Sequence, residues 1–283
     1  MYRRFRYLLI LSFLAVFSTA KAQFDDPKTL EVGPHVGVSY YMGDLNPTLP
    51  FAQSQLQYGG VVRFNYDNRW TFRFDYSRAT VTASDEKIKW RPERGLNFTS
   101  KINDFSLVAE FNFLEYYTGN PKRNVSPYIF GGISVFQYTV YAHIPLPDTL
   151  LNLSGILTEG PEDPDAKWYQ KMFGKDSPVG ISIPFGMGVK FALSRHMAAT
   201  VEWRMQKTFT DYLDDVATVY PQDHAVFTFE NGTTYDLTDP TGNYIAGQQR
   251  GDSAFKDWFG MARVSLTWKF NLPDGRGCNL SKF

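Results

Sequence analysis

Eight stretches of polar–apolar alternation predict an all-β fold, an eight-stranded antiparallel transmembrane β-barrel of the outer-membrane type with long extracellular loops. Two further features agree. The connections between the stretches alternate short and long, and aromatic residues make up 17% of the chain, as interfacial girdles require.

The chain opens on a segment that reads as a secretory signal, residues 1–22. Arg3, Arg4 and Arg6 supply the positive start, Leu8 to Phe17 the short apolar run, and Ala20 and Ala22 the small residues of a cleavage site. Gln23 then begins the mature chain. The apolar run is shorter than the ~20 residues of a spanning helix, and no second run of spanning length follows. Residues 23–270 are expected to form the barrel and residues 271–283 a periplasmic tail. The formal net charge is zero and no basic stripe is present, which argues against a nucleic-acid partner.

The first two strands are read at Glu31 to Tyr41 and Tyr58 to Tyr66. In the third, Trp70, Phe72, Phe74 and Tyr76 alternate with Thr71, Arg73, Asp75 and Ser77. In the fourth, Phe105, Leu107, Ala109, Phe111 and Phe113 alternate with Asp104, Ser106, Glu110 and Asn112. The fifth spans Ser126 to Tyr141 and the sixth Ile181 to Phe191. In the seventh, Met197 to Phe209, Val201, Trp203 and Met205 share one face while Glu202, Arg204 and Gln206 share the other. The eighth closes on Val264, Leu266, Trp268 and Phe270, alternating with Arg263, Ser265, Thr267 and Lys269. A helix would scatter these residues around its circumference; a strand sorts them by parity.

Alternation reveals two faces but not which one points inward. A soluble barrel would bury the apolar face, whereas a membrane barrel turns it to lipid. The segments run to about ten residues, enough to cross a bilayer at a tilt. Their apolar faces often end in Trp, Tyr or Phe, and their polar faces carry both charge signs. The lumen is therefore expected to hold ion pairs among Arg63, Arg73, Asp75, Glu110, Glu202, Arg204 and Arg263, with Lys190, Lys269 and Asp104 nearby. An eight-stranded interior is just filled by side chains, so these charges must pair and an open aqueous pore is not expected. Trp70, Trp203 and Trp268 read as lipid-facing, with a sugar platform as the alternative.

Asp67-Asn68-Arg69 and Ser194-Arg195-His196 are tight turns, and Tyr116 to Val125 is moderate. The long connections are Met42 to Gln57, Ala83 to Ser100, Ala142 to Pro178 and Asp211 to Lys256. Outer-membrane barrels place short turns in the periplasm and long loops outside. Both chain ends are then periplasmic.

Little in the sequence suggests chemistry. None of His35, His143, His196 and His224 sits at metal-ligand spacing with another His, Cys or carboxylate. No nucleophile-elbow, zinc-protease or phosphate-loop pattern is present. No catalytic, cofactor or metal site is predicted, and the chain is not expected to be an enzyme. Cys278, the single cysteine, cannot form an intramolecular disulfide.

The first strand and its loop run Gly37-Val38-Ser39-Tyr40-Tyr41-Met42-Gly43-Asp44-Leu45-Asn46-Pro47. This resembles the opening of the PorG-like outer-membrane proteins, where a strand leads into a Y-x-G-D-L-N segment. Gly251-Asp252-Ser253, Lys256-Asp257-Trp258-Phe259, Ser126-Pro127-Tyr128-Ile129-Phe130-Gly131-Gly132 and the late Cys278 extend the resemblance over most of the mature chain. It implies a component of the type IX secretion system, which exports proteins across the outer membrane and in some bacteria supports gliding motility. The implied partners are a periplasmic ring lipoprotein and its companion, of the PorK and PorN kind. The candidate contact residues are Arg195, His196, Tyr116 to Asn124 and the tail Asn271 to Phe283 with its Arg276 and Cys278, the last as an intermolecular disulfide. A passive structural barrel and a loop-based surface receptor or adhesin are the alternatives. Beyond proteins, the expected partner is outer-membrane lipid.

Overall fold

The computed structural model describes residues 28–118, 123–144, 148–154, 156, 158–159, 179–252 and 254–272. The expected signal segment, most of the connection 142–178, Arg276 and Cys278 lie outside the described residues. Eight strands form a closed antiparallel barrel. They are β1 (Thr29–Met42), β2 (Gln55–Asn65), β3 (Trp70–Ser84), β4 (Asn97–Asn112), β5 (Val125–Ile144), β7 (Val179–Ala192), β8 (Met197–Thr208) and β11 (Trp258–Asn271). Each pairs with its neighbour in sequence order, and β1 pairs with both β2 and β11 to close the ring. The short β6 (Thr149–Asn152) extends the outer end of β5, and β9 (Val226–Thr228) and β10 (Thr234–Asp236) make a separate hairpin. A one-turn helix, α1 (Asp85–Ile88), sits between β3 and β4. Among the described residues no helix is long and apolar enough to cross a membrane.

The faces are sorted as a membrane requires. Phe72, Phe74, Leu107, Ile133, Met187, Val201 and Leu266 project outward and are exposed, while Arg63, Arg73, Asp75, Glu110, Glu202, Arg204 and Arg263 point inward and are buried. Water would reverse that arrangement; a bilayer outside and a filled interior make it stable. Trp258 opens the outward face of β11, and Trp268 stands one outward position before its last aromatic, Phe270. Ten residues of tilted strand separate the two tryptophans by about 25 Å along the membrane normal, the height of an outer-membrane apolar band.

All eight expected strands form, but five, β1 to β5, run on past the expected loop boundaries. β3 continues to Ser84 and β4 starts at Asn97, so part of the stretch expected as the Ala83 to Ser100 loop is paired strand. Here the alternation inverts. Below this level the outer positions are Phe74, Tyr76, Phe105, Leu107, Ile133 and Val135; above it they are Arg78, Thr80, Lys101, Asn103 and Gln137. The inner positions change in the opposite sense, from Asp75, Ser77, Asp104 and Ser134 to Ala79, Val81, Ile102, Phe98, Phe136 and Tyr138, which are buried. The strands leave the lipid, and from there they behave as a soluble sandwich with its core inside. The interior is thus not polar throughout: it is charged in the membrane and apolar under the loops.

Candidate functional site

The membrane-level lumen is a connected ion network. Arg73 lies at its centre, with Nε 2.7 Å from Asp75 and Nη1 2.5 Å from Glu110, and it also donates to Glu202. Glu202 accepts from Tyr128 at 2.6 Å and pairs with Arg263 at 2.7 Å. Lys190 meets Glu110 at 2.6 Å, and Arg63 meets the same carboxylate at 3.3 Å. Arg204 and Gln206 hold Asp104 at 3.0 and 2.7 Å. Register explains the contacts: Arg263 stands opposite Glu202 across β11 and β8. All seven residues expected to form lumen ion pairs are brought together here. Tyr128 and Gln206 complete the network and were not anticipated as members. Their inward parity, shared with Ser126 and Arg204, was the available signal.

The turn end is closed by the chain itself. The segment between β4 and β5 folds back so that Tyr116 and Thr118 are buried in the barrel mouth. Tyr116 N–H donates to the Asn68 carbonyl at 3.0 Å, Thr118 Oγ1 donates to Glu31 at 3.1 Å, and Lys269 donates to the Thr118 carbonyl while lying over the Tyr117 ring. Two of the expected contact residues, Tyr116 and Thr118, are thus turned inward, whereas Asn124 is exposed and residues 119–122 lie outside the described residues. The buried Lys269 and Glu31 need partners, and this segment supplies them. Arg195 and His196 do lie exposed on the turn between β7 and β8, with the His196 ring stacked on Trp268 at 5.9 Å.

The loop end is closed by a packed cap in which the distant sequence motifs meet. Tyr41 Oη lies 2.5 Å from both Asp214 and Asp257. Asp44 accepts from the Asp252 N–H at 2.8 Å, and a side chain at Gly251 would collide with Asp44 and the backbone at 216–217. Arg94 links three loops, pairing with Asp85 at 2.7 Å and donating to the carbonyls of Asp44 and Arg250. Arg250 in turn pairs with Glu159 at 2.5 Å. A single phenolic hydrogen cannot serve two carboxylates, so the Tyr41 cluster holds at least one further proton. Burial pushes Asp214 and Asp257 well above the usual carboxylate range, and their mutual repulsion and that of Asp211 and Asp44 add to it. Burial likewise raises Asp211 to about 8 and Asp44 to about 6, against the pull of Lys256 and Arg94. Among the described residues no group of three or more His, Cys, Asp or Glu is arranged to hold a metal.

A family model described as a domain of unknown function, DUF6089, matches residues 4–145, half of the chain. The chain belongs to the DUF6089 family. That match covers β1 to β5 with the Tyr41–Asn46 motif. None of the curated proteins matches. Among solved structures, this DUF6089 chain is similar to the N-terminal β-barrel domain of OprF from Pseudomonas aeruginosa, at 12% identity and a TM-score of 0.35, covering 86% of this chain and 97% of that one. Neisserial surface protein A is similar at 10% identity and a TM-score of 0.40, with coverage of 86% and 97%. The attachment invasion locus protein Ail of Yersinia pestis, solved with the heparin analogue sucrose octasulfate, is similar at 9% identity and a TM-score of 0.38, covering 87% and 99%.

Proposed function

We propose that this barrel is an outer-membrane component of the type IX secretion system that anchors the periplasmic lipoprotein ring, with its turn end and both termini in the periplasm. The observation that carries the reading is closure. The lumen is filled by ion pairs, one mouth by Tyr116 to Thr118 and the other by the loop cap, so the molecule offers surfaces rather than a passage. The resemblance to the PorG-like proteins supplies the system. Its two main motifs, more than 200 residues apart in the chain, make one unit in space through Tyr41–Asp257 and Asp44–Asp252.

Arg195, His196, Arg276 and Cys278 are the proposed contacts to the ring. The test is purification of the tagged protein from outer membranes without reductant, followed by identification of what accompanies it. A ring lipoprotein in the eluate, linked in a high-mass species that Cys278→Ser abolishes, is the expected result. A heat-modifiable monomer with no companion would overturn the anchor reading. Deletion within 142–178 separates the surface-receptor alternative: an anchor keeps export, a receptor loses binding.

A further inference from the structure

Beside the cap, on the outer wall, lies a cavity of about 660 Å3. Its floor is the lipid-facing side of the barrel itself: Met42 at the end of β1, Met205 on β8 and Trp258 at the start of β11. Its roof is built from two loops, by Trp90, Arg91 and Phe255. On the β3 to β5 side the exterior turns polar above Tyr76 and Phe105. On β1 and β11 the outward positions stay apolar to the ends of the strands, so the membrane-facing wall runs without a break into this cavity.

The surroundings are unusual for a protein–water boundary. Trp90 is 55% exposed and Phe255 74% exposed. The loop after β1 folds down the outside of the wall, so that Phe51 packs on Tyr40 at 4.4 Å with a positive φ of 64°. A bulky residue in that region carries strain and persists where its surroundings hold it. Tyr40 points outward yet is fully buried. Its hydroxyl accepts from Trp203 at 2.8 Å, and its ring lies where a Gly260 side chain would be.

The charge around the cavity is also specific. Lys207 stands beside the lining rather than in it: it is the last outward residue of β8, opposite Trp258 in register, with its ammonium 5.6 Å from that lining ring. Arg91 stands on the roof. Among the described residues neither has an acidic partner at ion-pair distance. The two acids that line the cavity are otherwise engaged: Asp44 accepts from Asp252 N–H and lies near Arg94, and Asp252 Oδ1 accepts from Ala254 N–H.

We propose that this cavity is a binding site for a phosphorylated membrane lipid of the leaflet at the loop end: an acyl chain lies along Met42, Met205 and Trp258 under Trp90 and Phe255, and the phosphate is held between Lys207 and Arg91. The proposal rests on the barrel being in a membrane and is independent of the secretion role. Aromatic rings at the headgroup level with flanking cations are the chemistry that recognises such a lipid.

The test is native mass spectrometry of the full-length protein released from micelles containing phosphatidylglycerol or phosphatidylcholine with the same acyl chains. One phosphatidylglycerol is expected to stay bound to the wild type more tightly than phosphatidylcholine. The double variant Lys207→Gln, Arg91→Gln is expected to lose that preference, at about fivefold in affinity for each charge removed. Phe255→Ala with Trp90→Ala should weaken both lipids alike. All four side chains lie on the outside, and the heat-shifted gel band checks folding. Equal retention of the two lipids by the wild type would overturn the proposal without any variant, and so would an undiminished preference in the double charge variant. A wild type that keeps its lipid but recovers no ring protein would separate this site from the anchor reading.

Discussion

Arg63 and Arg73 stand directly opposite each other on β2 and β3, both pointing inward. Like charges so placed repel, and at this depth no water screens them. Glu110 resolves the conflict. It lies 3.3 Å from Arg63, 2.5 Å from Arg73 and 2.6 Å from Lys190, so one carboxylate compensates three cations. Removing one member of a buried charge group leaves the others uncompensated, which costs about 3–5 kcal/mol. Glu110→Gln is therefore expected to lower stability by about that amount, read as an earlier urea midpoint of the heat-modifiable band. Thr80→Ala, on the polar outer face of β3, should change it by under about 0.5 kcal/mol. Equal midpoints for both variants would show that the network is solvated rather than buried.

At the level of elements, the cap is a unit whose stability depends on protons. Asp44, Asp211, Asp214 and Asp257 bind protons more tightly in the folded cap than in an unfolded chain, because burial and mutual repulsion penalise their charged forms. Their contribution is complete below the ordinary carboxylate value of 3.8 and falls as pH rises, through about 6 for Asp44 and about 8 for Asp211. The cap should therefore open more readily at pH 8.5 than at pH 5.5. Hydrogen exchange of residues 211–217, corrected for the intrinsic rate, is expected to show lower protection at the higher pH. Asp211→Asn should flatten that dependence. Protection unchanged between the two conditions would remove the proton from the account of how the cap holds. The strands beneath it, held by ladder hydrogen bonds and lumen ion pairs, should stay protected throughout.

For the whole molecule, closure at three levels has one consequence. Reconstituted into a planar bilayer, the barrel should show no steady conductance, and Glu110→Gln should not create one while the cap and the Tyr116–Thr118 segment remain. A stable single-channel step in the wild type would contradict the sealed lumen. The closure was only partly legible in the chain. Alternation located all eight strands, since a bilayer outside and a filled lumen impose opposite polarity on neighbouring residues. Arg73, Glu110, Glu202 and Arg263 could be assigned to one face by parity alone. Their actual pairing could not, because it depends on the stagger between strands and on which of four neighbours each long side chain reaches.

The sequence by itself therefore determined the class of fold, eight candidate strands and the sorting of residues into two faces. Each of these follows from a period of two and from the length needed to cross a membrane. Only the tertiary structure decided where the membrane ends. The alternation continues unbroken through β3 and β4 but changes sense at Ser77 and Asp104, and a period carries no mark of such a change until the inner and outer faces are known. Tertiary structure alone also decided that Tyr116 to Thr118 turns inward and that Tyr41 meets both Asp214 and Asp257. Contacts between segments up to some 200 residues apart are set by the closing of the ring, which brings β1 beside β11 and leaves no local trace in either.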